Sequence, residues 1–234
     1  MRTLHGSIPP VSLIHLQDAA LPLALFRRLR GGVRALGNEH LRNTYQKTFW
    51  FEFGQPSSVV EEAVATVRPQ FPKVPLVGVE WWLSRMMTDR IRVDFHRDRD
   101  EKRALRGGSL RHPRFSSVLF LNGVQGGALA VTAQPPVPNN PCNVPIPLDA
   151  DLAAPRANRL VWFDGNLTHG VLDASNQVPG SKPNSQGEFR LSIVMNWWAR
   201  RPTDVPTFDE SGIYAALRVG SQSRSSRPRT VRQR

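Results

Sequence analysis

A single cysteine, Cys142, stands in a chain of 234 residues. No disulfide framework can form within the chain, and thiolate metal sites of the zinc-finger kind are excluded. Long apolar runs are also absent. The longest near the N-terminus, Ala19 to Phe26, contains Pro22 and is too short to span a membrane. It ends in Arg27-Arg28 without a small-residue cleavage site, so neither a signal peptide nor a membrane partner is expected, and the default compartment is the cytoplasm. Acids are missing from the last stretch, Arg218 to Arg234, where six arginines lie among Ser, Gly, Gln and Pro. That composition cannot bury a core and reads as a disordered basic tail over residues 218–234. Without it the net charge falls from +12 to +6. Such a surplus attracts phosphates or an acidic partner, and solubility explains it about as well, so charge alone does not identify a nucleic-acid binder.

What remains is an ordinary globular composition, 40% apolar, enough for one domain over residues 1–217. Leu21, Leu25, Leu29 and Val33 recur every four residues and predict an amphipathic helix, weakened near its end by Gly31-Gly32. Phe49 to Phe53 reads as a strand, and Ser58 with Glu61 as a capping box opening a second helix to about Val67. The period then changes to two. Arg90 to His96 alternates apolar and polar residues, Phe115 to Leu121 is a nearly continuous apolar run, and Gly126-Gly127 leads into Ala128 to Thr132. Arg159 to Phe163 and Glu188 to Trp198 complete the strands. Helices first and strands afterwards suggest a mainly β, α+β chain built around a sandwich or barrel. Two loops, Pro135 to Pro147 with its six prolines and Asp173 to Gly187, are either lids over a site or surface insertions.

His96-Arg97-Asp98 ends the alternating segment. Residues two apart on a strand point to one side, so an imidazole and a carboxylate are presented together, opposite Ile91, Val93 and Phe95. A third ligand would complete the two-histidine, one-carboxylate facial triad that leaves coordination positions of iron(II) open. His169, after the strand Arg159 to Phe163 and the turn Asp164-Gly165-Asn166, is the candidate. In isolation it would read as a turn histidine bonded to backbone. The deciding feature lies 21 residues on, where Arg190, Ser192, Val194 and Asn196 share one strand face and Leu191, Ile193, Met195 and Trp197 the other. An arginine on a strand otherwise apolar on both sides is costly unless it meets an anion. Its fork matches a carboxylate, and a hydroxyl two residues on can bond the same group; a structural salt bridge is the alternative.

His-x-Asp, a later His, then Arg-x-Ser on a following strand resembles the 2-oxoglutarate/iron(II) dioxygenase superfamily, over roughly Leu83 to Trp198. Phe115 to Asn122 followed by Gly126-Gly127 is similar to its prolyl-hydroxylase-type branch. The resemblance implies a double-stranded β-helix, a jelly roll with N-terminal flanking helices. It implies iron(II) held by His96, Asp98 and His169, and 2-oxoglutarate held by Arg190 and Ser192, with dioxygen as the second cosubstrate. The reaction implied is hydroxylation of a C–H bond with succinate and carbon dioxide as co-products, and the carboxylate at Asp98 points to hydroxylation rather than halogenation. Three departures accompany it. Met86-Met87-Thr88 stands where many relatives carry a tyrosine, and the step from His169 to Arg190 is long. Asp100, four residues after His96, resembles instead an acid of the AlkB-like demethylases, although that branch usually has a second arginine where this chain has Asn196.

Three functions follow from this reading. The first is a hydroxylase of an amino acid, peptide or small metabolite. The second is an AlkB-like oxidative demethylase of alkylated nucleic acid, and the third a non-catalytic metal- or ligand-binding jelly roll. Arg99, Asp100, Arg114 and Trp197 are candidate substrate-pocket residues by position.

Overall fold

The computed structural model describes residues 12–44, 47–91, 93–136, 146–147, 149–179 and 186–220. Nine strands form two antiparallel sheets among these residues. The larger is built from β1 (His15–Gln17), β2 (Phe49–Glu52), β3 (Gly78–Met87), β4 (Phe115–Phe120), β7 (Arg159–Asp164) and β9 (Phe189–Trp198), in the order β1-β7-β4-β9-β3-β2. The smaller has β5 (Leu129–Thr132) between β6 (Asp151–Ala153) and β8 (Thr168–Val171). The chain is mainly β with few helices.

The period-two pattern of β9 decides how these layers stack. Ile193, Met195 and Trp197 join a core with Trp81 and Leu83 of β3 and with the apolar faces of three helices. Of these, α1 (Leu23–Ala35) buries Phe26, Leu29 and Val33, and the short α2 (Asn38–Asn43) adds Leu41. The third, α3 (Val59–Val67), buries Val60, Val64 and Val67. The other face of the large sheet meets the small one. Val118, Phe120, Val161 and Phe163 pack there against Leu129, Val131 and Ala153. Each strand therefore carries two different surfaces, and the space between the sheets is left for a site.

Ser58 starts α3 as expected. Its hydroxyl accepts the Glu61 N–H while the Glu61 side chain takes the Ser58 N–H, which satisfies two donors that the helix cannot. Two expectations need correction. The described residues of Arg90 to His96 form no ladder strand, since β3 already ends at Met87, opposite Phe189, and the chain then leaves the large sheet. It touches the small sheet through one isolated bridge, His96 with His169. The long strand preceding this crossover, β3, is the second correction, because the sequence does not announce it. Its alternation of Glu80, Trp82, Ser84 and Met86 with Val79, Trp81 and Leu83 is masked by adjacent tryptophans and methionines.

The chain also runs on past 217. Arg218 bridges Ser58, and the Val219 N–H donates to the Ser57 carbonyl. Residues 221–234 of the basic tail lie outside the described residues, as do 137–145 and 180–185 of the two candidate lids. No helix among the described residues is long and apolar enough to cross a membrane. Ser58→Ala should lower the unfolding free energy by roughly 1 kcal/mol through loss of the capping box, read as a lower urea midpoint with an unchanged slope.

Candidate metal centre

The crossover is pinned where it matters. The His96 N–H donates to the His169 carbonyl at 2.9 Å, and the His169 N–H returns a bond to the His96 carbonyl at 2.8 Å. This reciprocal pair is the narrow rung of an antiparallel ladder, and it sets the two rings side by side, with centroids 4.5 Å apart. On the far side of the rung Phe95 packs against Gly170, where a Cβ would lie 2.6 Å from the phenylalanine ring. Only glycine lets the crossover approach β8 so closely. Phe95 thus faces the outer surface and His96 the inner one, so the expected local alternation survives without the strand.

Asp98 meets both rings. Its Oδ1 lies 3.5 Å from His96 Nε2 and its Oδ2 3.4 Å from His169 Nε2. The far ring nitrogens face backbone carbonyls, His96 Nδ1 at 2.8 Å from that of Asp94 and His169 Nδ1 at 3.2 Å from that of Leu167. A ring that donates from Nδ1 to a carbonyl presents its Nε2 lone pair, which is how metal-binding histidines are oriented. Ser116 of β4 donates its hydroxyl to Asp98 Oδ2 at 2.7 Å, and the Asp98 carbonyl sits 2.6 Å from His112 Nδ1. Among the described residues, His96, Asp98 and His169 are the only cluster of three or more such side chains near enough to share an ion, their ligand atoms all within 4.8 Å of one another.

The electrostatics suit a cation. Burial opposes the charge of Asp98, but the His169 and His96 rings and the Ser116 hydroxyl outweigh it and hold the carboxyl well below its ordinary range. Burial pushes His169 down, against the pull of Asp98, which favours the neutral, ligating ring. Burial also works against a charge on His96, yet the adjoining Asp98 carboxylate lifts that ring above its ordinary value. Two nitrogen lone pairs and an ionised carboxylate turned on one point repel each other unless a proton or a metal ion lies between them. The donor set therefore fits a divalent transition metal of the iron type.

The three residues line a cavity of about 770 Å³ between the sheets, within the usual range for small-molecule sites. Arg190, Val194 and Asn196 of β9 line the same cavity. Arg190 is 1% exposed; its guanidinium lies 4.8 Å over the Phe120 ring and donates from Nη1 to Ser192 Oγ at 3.3 Å. Gly127, at φ +66°, passes so close that a Cβ there would stand 3.2 Å from Arg190 Cδ and 2.8 Å from Thr88 Cγ2. Met86 pairs with Arg190 across the sheet and lines the cavity.

Of the four substrate candidates, Arg99 and Asp100 reach the cavity. Arg99 is tied to Glu101 at 3.0 Å. Asp100 is spent on structure: Oδ1 accepts from the Arg103 N–H, and Oδ2 accepts from the Thr203 N–H and hydroxyl at 3.1 and 3.0 Å. The other two are corrected. Arg114 is exposed and outside the cavity lining, since it precedes β4. Trp197 is fully buried on the helix side of β9, donating its indole N–H to Ser117 at 2.9 Å. It is one residue out of phase with Asn196. Sequence reasoning missed Ser116, which orients Asp98, and Glu80, Trp82 and Ser84, the cavity face of β3. The signal for the last three was an acid and a serine at even positions of an apolar segment.

No family model and no curated protein matches the chain. Among solved structures it is similar to a Pseudomonas putida prolyl-4-hydroxylase, with TM-score 0.47 and 23% identity over 82% of this chain and 87% of that one. It is similar also to an oxidoreductase of the 2OG-Fe(II) oxygenase family from Burkholderia pseudomallei, with TM-score 0.47 and 12% identity over 83% and 88%. A third is HygX from Streptomyces hygroscopicus with nickel and 2-oxoglutarate bound, with TM-score 0.45 and 12% identity over 84% and 83%. At this level the likeness is loose, and the side chains of the site carry the functional reading.

Burial above all, with the nearby Asp98 and Asp100 charges, raises the Glu80 carboxyl from 4.5 to about 7, against the Thr48 side chain. Between those values the folded chain holds a proton at Glu80 that the unfolded chain has released, so this group's contribution to stability is lost as pH rises through that window. Urea unfolding across it should show Glu80→Gln gaining on wild type toward high pH, by up to roughly 3 kcal/mol. A constant difference would place Glu80 in ordinary solvent.

Proposed function

We propose that this protein is an iron(II)- and 2-oxoglutarate-dependent dioxygenase that hydroxylates a C–H bond of an amino acid, peptide or small metabolite. The observation that carries the reading is the convergence of His96 Nε2, His169 Nε2 and both Asp98 oxygens, in one cavity with a buried arginine. On this reading His96, Asp98 and His169 hold the iron, Arg190 and Ser192 hold the distal carboxylate of 2-oxoglutarate, and one oxygenase domain spans residues 1–217 with a basic tail at 218–234. On this reading the two antiparallel sheets are those of a double-stranded β-helix with N-terminal flanking helices, with the cavity between them.

The bound metal with dioxygen and 2-oxoglutarate supplies the oxidising chemistry, and the protein orients the partners and shields them. The Asp94 and Leu167 carbonyls fix the ring tautomers, and the Ser116 hydroxyl holds Asp98 Oδ2, the oxygen that faces His169, while Oδ1 faces His96. Arg190 offers a charge-assisted fork in a site walled by Phe120, where water competes little for a carboxylate. Val118, Leu129, Phe163 and Val194 give the cavity apolar walls that exclude water from the reacting centre. The demethylase alternative drew on Asp100, and the bonds that Asp100 makes to Arg103 and Thr203 leave that carboxylate committed.

Anaerobic protein should take up one iron(II) per chain and, with 2-oxoglutarate, develop a weak visible charge-transfer band that His96→Ala or His169→Ala abolishes. Retention of the band in both variants contradicts the ligand assignment. Arg190→Ala should leave metal content nearly intact and raise the 2-oxoglutarate requirement. Loss of one side of a buried charge pair costs roughly 3–5 kcal/mol, or two to three decades or more in affinity. An unchanged requirement makes Arg190 structural.

A further inference from the structure

The cavity floor is ordered in rows across the large sheet. Met86 pairs with Arg190, Ser84 with Ser192, Trp82 with Val194, and Glu80 with Asn196. Asn196 pairs on its other side with Ser116, which holds Asp98. Arg190 and Glu80 thus stand at opposite ends of the floor, six residues apart along β9, with the metal-centre row beside the Glu80 end. If an anion occupies the Arg190 end, a second ligand has the Glu80 end to itself.

That end carries two acceptor side chains, with the Thr48 and Trp198 side chains beside the Glu80 carboxyl. Asn196 is 3% exposed, and its Oδ1 is buried without a hydrogen-bond partner. Glu80 lies next to it on β3, and Trp82 offers a half-buried ring on the same face. A carboxylate, an open amide oxygen and an aromatic face together match a cation that also donates hydrogen bonds. Cations elsewhere in the cavity do not answer this need. Arg99 is engaged by Glu101, Lys102 donates to the Asp204 carbonyl, Arg97 donates to the Thr168 hydroxyl, and Lys47 is exposed to water.

We propose that Glu80, Asn196 and Trp82 form a subsite for a cationic nitrogen group, an alkylammonium or guanidinium, and that Glu80 selects ligands bearing one. Calling that ligand the substrate rests on the oxygenase reading; the subsite itself rests on the cavity. A half-buried carboxyl that desolvation and two neighbouring acids make costly to ionise gains most from a partner that brings the opposite charge. A neutral ligand of the same shape leaves the acceptors of Glu80 and Asn196 in a poorer state, so the subsite discriminates by charge.

The test is a calorimetric titration of the full chain, with and without manganese(II), in buffer above neutrality. The probes are n-butylammonium, 1-butanol and butyrate. Wild type should bind n-butylammonium about tenfold more tightly than 1-butanol, the size of one charge-assisted contact, and butyrate least. Glu80→Gln, which keeps shape and removes charge, should lose most of that preference, and Glu80→Asp should keep part of it. If Glu80→Gln does not fold, Asn196→Leu reads the same subsite and should weaken n-butylammonium binding severalfold. Absence of a cation preference in wild type, or an undiminished one in Glu80→Gln, overturns the proposal. Manganese binding is read in the same titrations. Intact metal binding with no effect of Glu80 removes the subsite alone, whereas no metal binding with a Glu80-dependent preference leaves the subsite standing and removes the oxygenase reading.

Discussion

Two backbone hydrogen bonds between His96 and His169 hold the site together. They join a crossover segment with no ladder of its own to β8, an edge strand of the small sheet. Everything at the centre depends on that rung. It sets the ring separation, and two residues later it places Asp98 where both Nε2 atoms and the Ser116 hydroxyl of the opposite sheet reach it. Ser116 is the link from one sheet to the other, so the triad is braced from both walls of the cavity. The requirement for glycine at position 170 follows from the same rung, because Phe95 fills the space on its outer side.

The second constraint is the two-faced character of β9. One face is spent on the core beneath the helices and the other on a line of polar groups that few buried strands would carry. Arg190, Ser192 and Asn196 are each no more than 3% exposed. Burying three polar side chains on one strand costs stability unless partners or ligands repay it, and natural chains accept such conflicts at sites of function.

That conflict is also why β9 was legible. Its alternation and its one arginine stand out against apolar neighbours, as do the Ser58 capping box and the stripe Leu29 and Val33 of α1. The convergence of His96, Asp98 and His169 was expected from their order and spacing, and the structure brings those three side chains together. The reason given for it, a strand from Arg90 to His96, was wrong. Alternation is a property of side chains, and among the described residues of this segment His96 alone pairs with a strand, through His169, once β3 has used the edge of β9 up to Met87. β3 itself was hidden because tryptophan and methionine occupy both of its faces, so its polar positions looked like noise. Trp197 was misjudged although its phase along β9 already assigned it to the core, and the role of Asp100 was decided by Thr203, a hundred residues away and invisible to any local pattern.

The central claim is that one metal ion sits between His96, Asp98 and His169 with an anionic cosubstrate reaching from it toward Arg190. Crystals grown anaerobically with manganese(II) and 2-oxoglutarate, measured at the metal's absorption edge, address it directly. The account predicts one anomalous peak within about 2.3 Å of both Nε2 atoms and an Asp98 oxygen, with the far carboxylate of 2-oxoglutarate bonded to the Arg190 guanidinium. A fully occupied peak elsewhere, or 2-oxoglutarate bound away from Arg190, would contradict it.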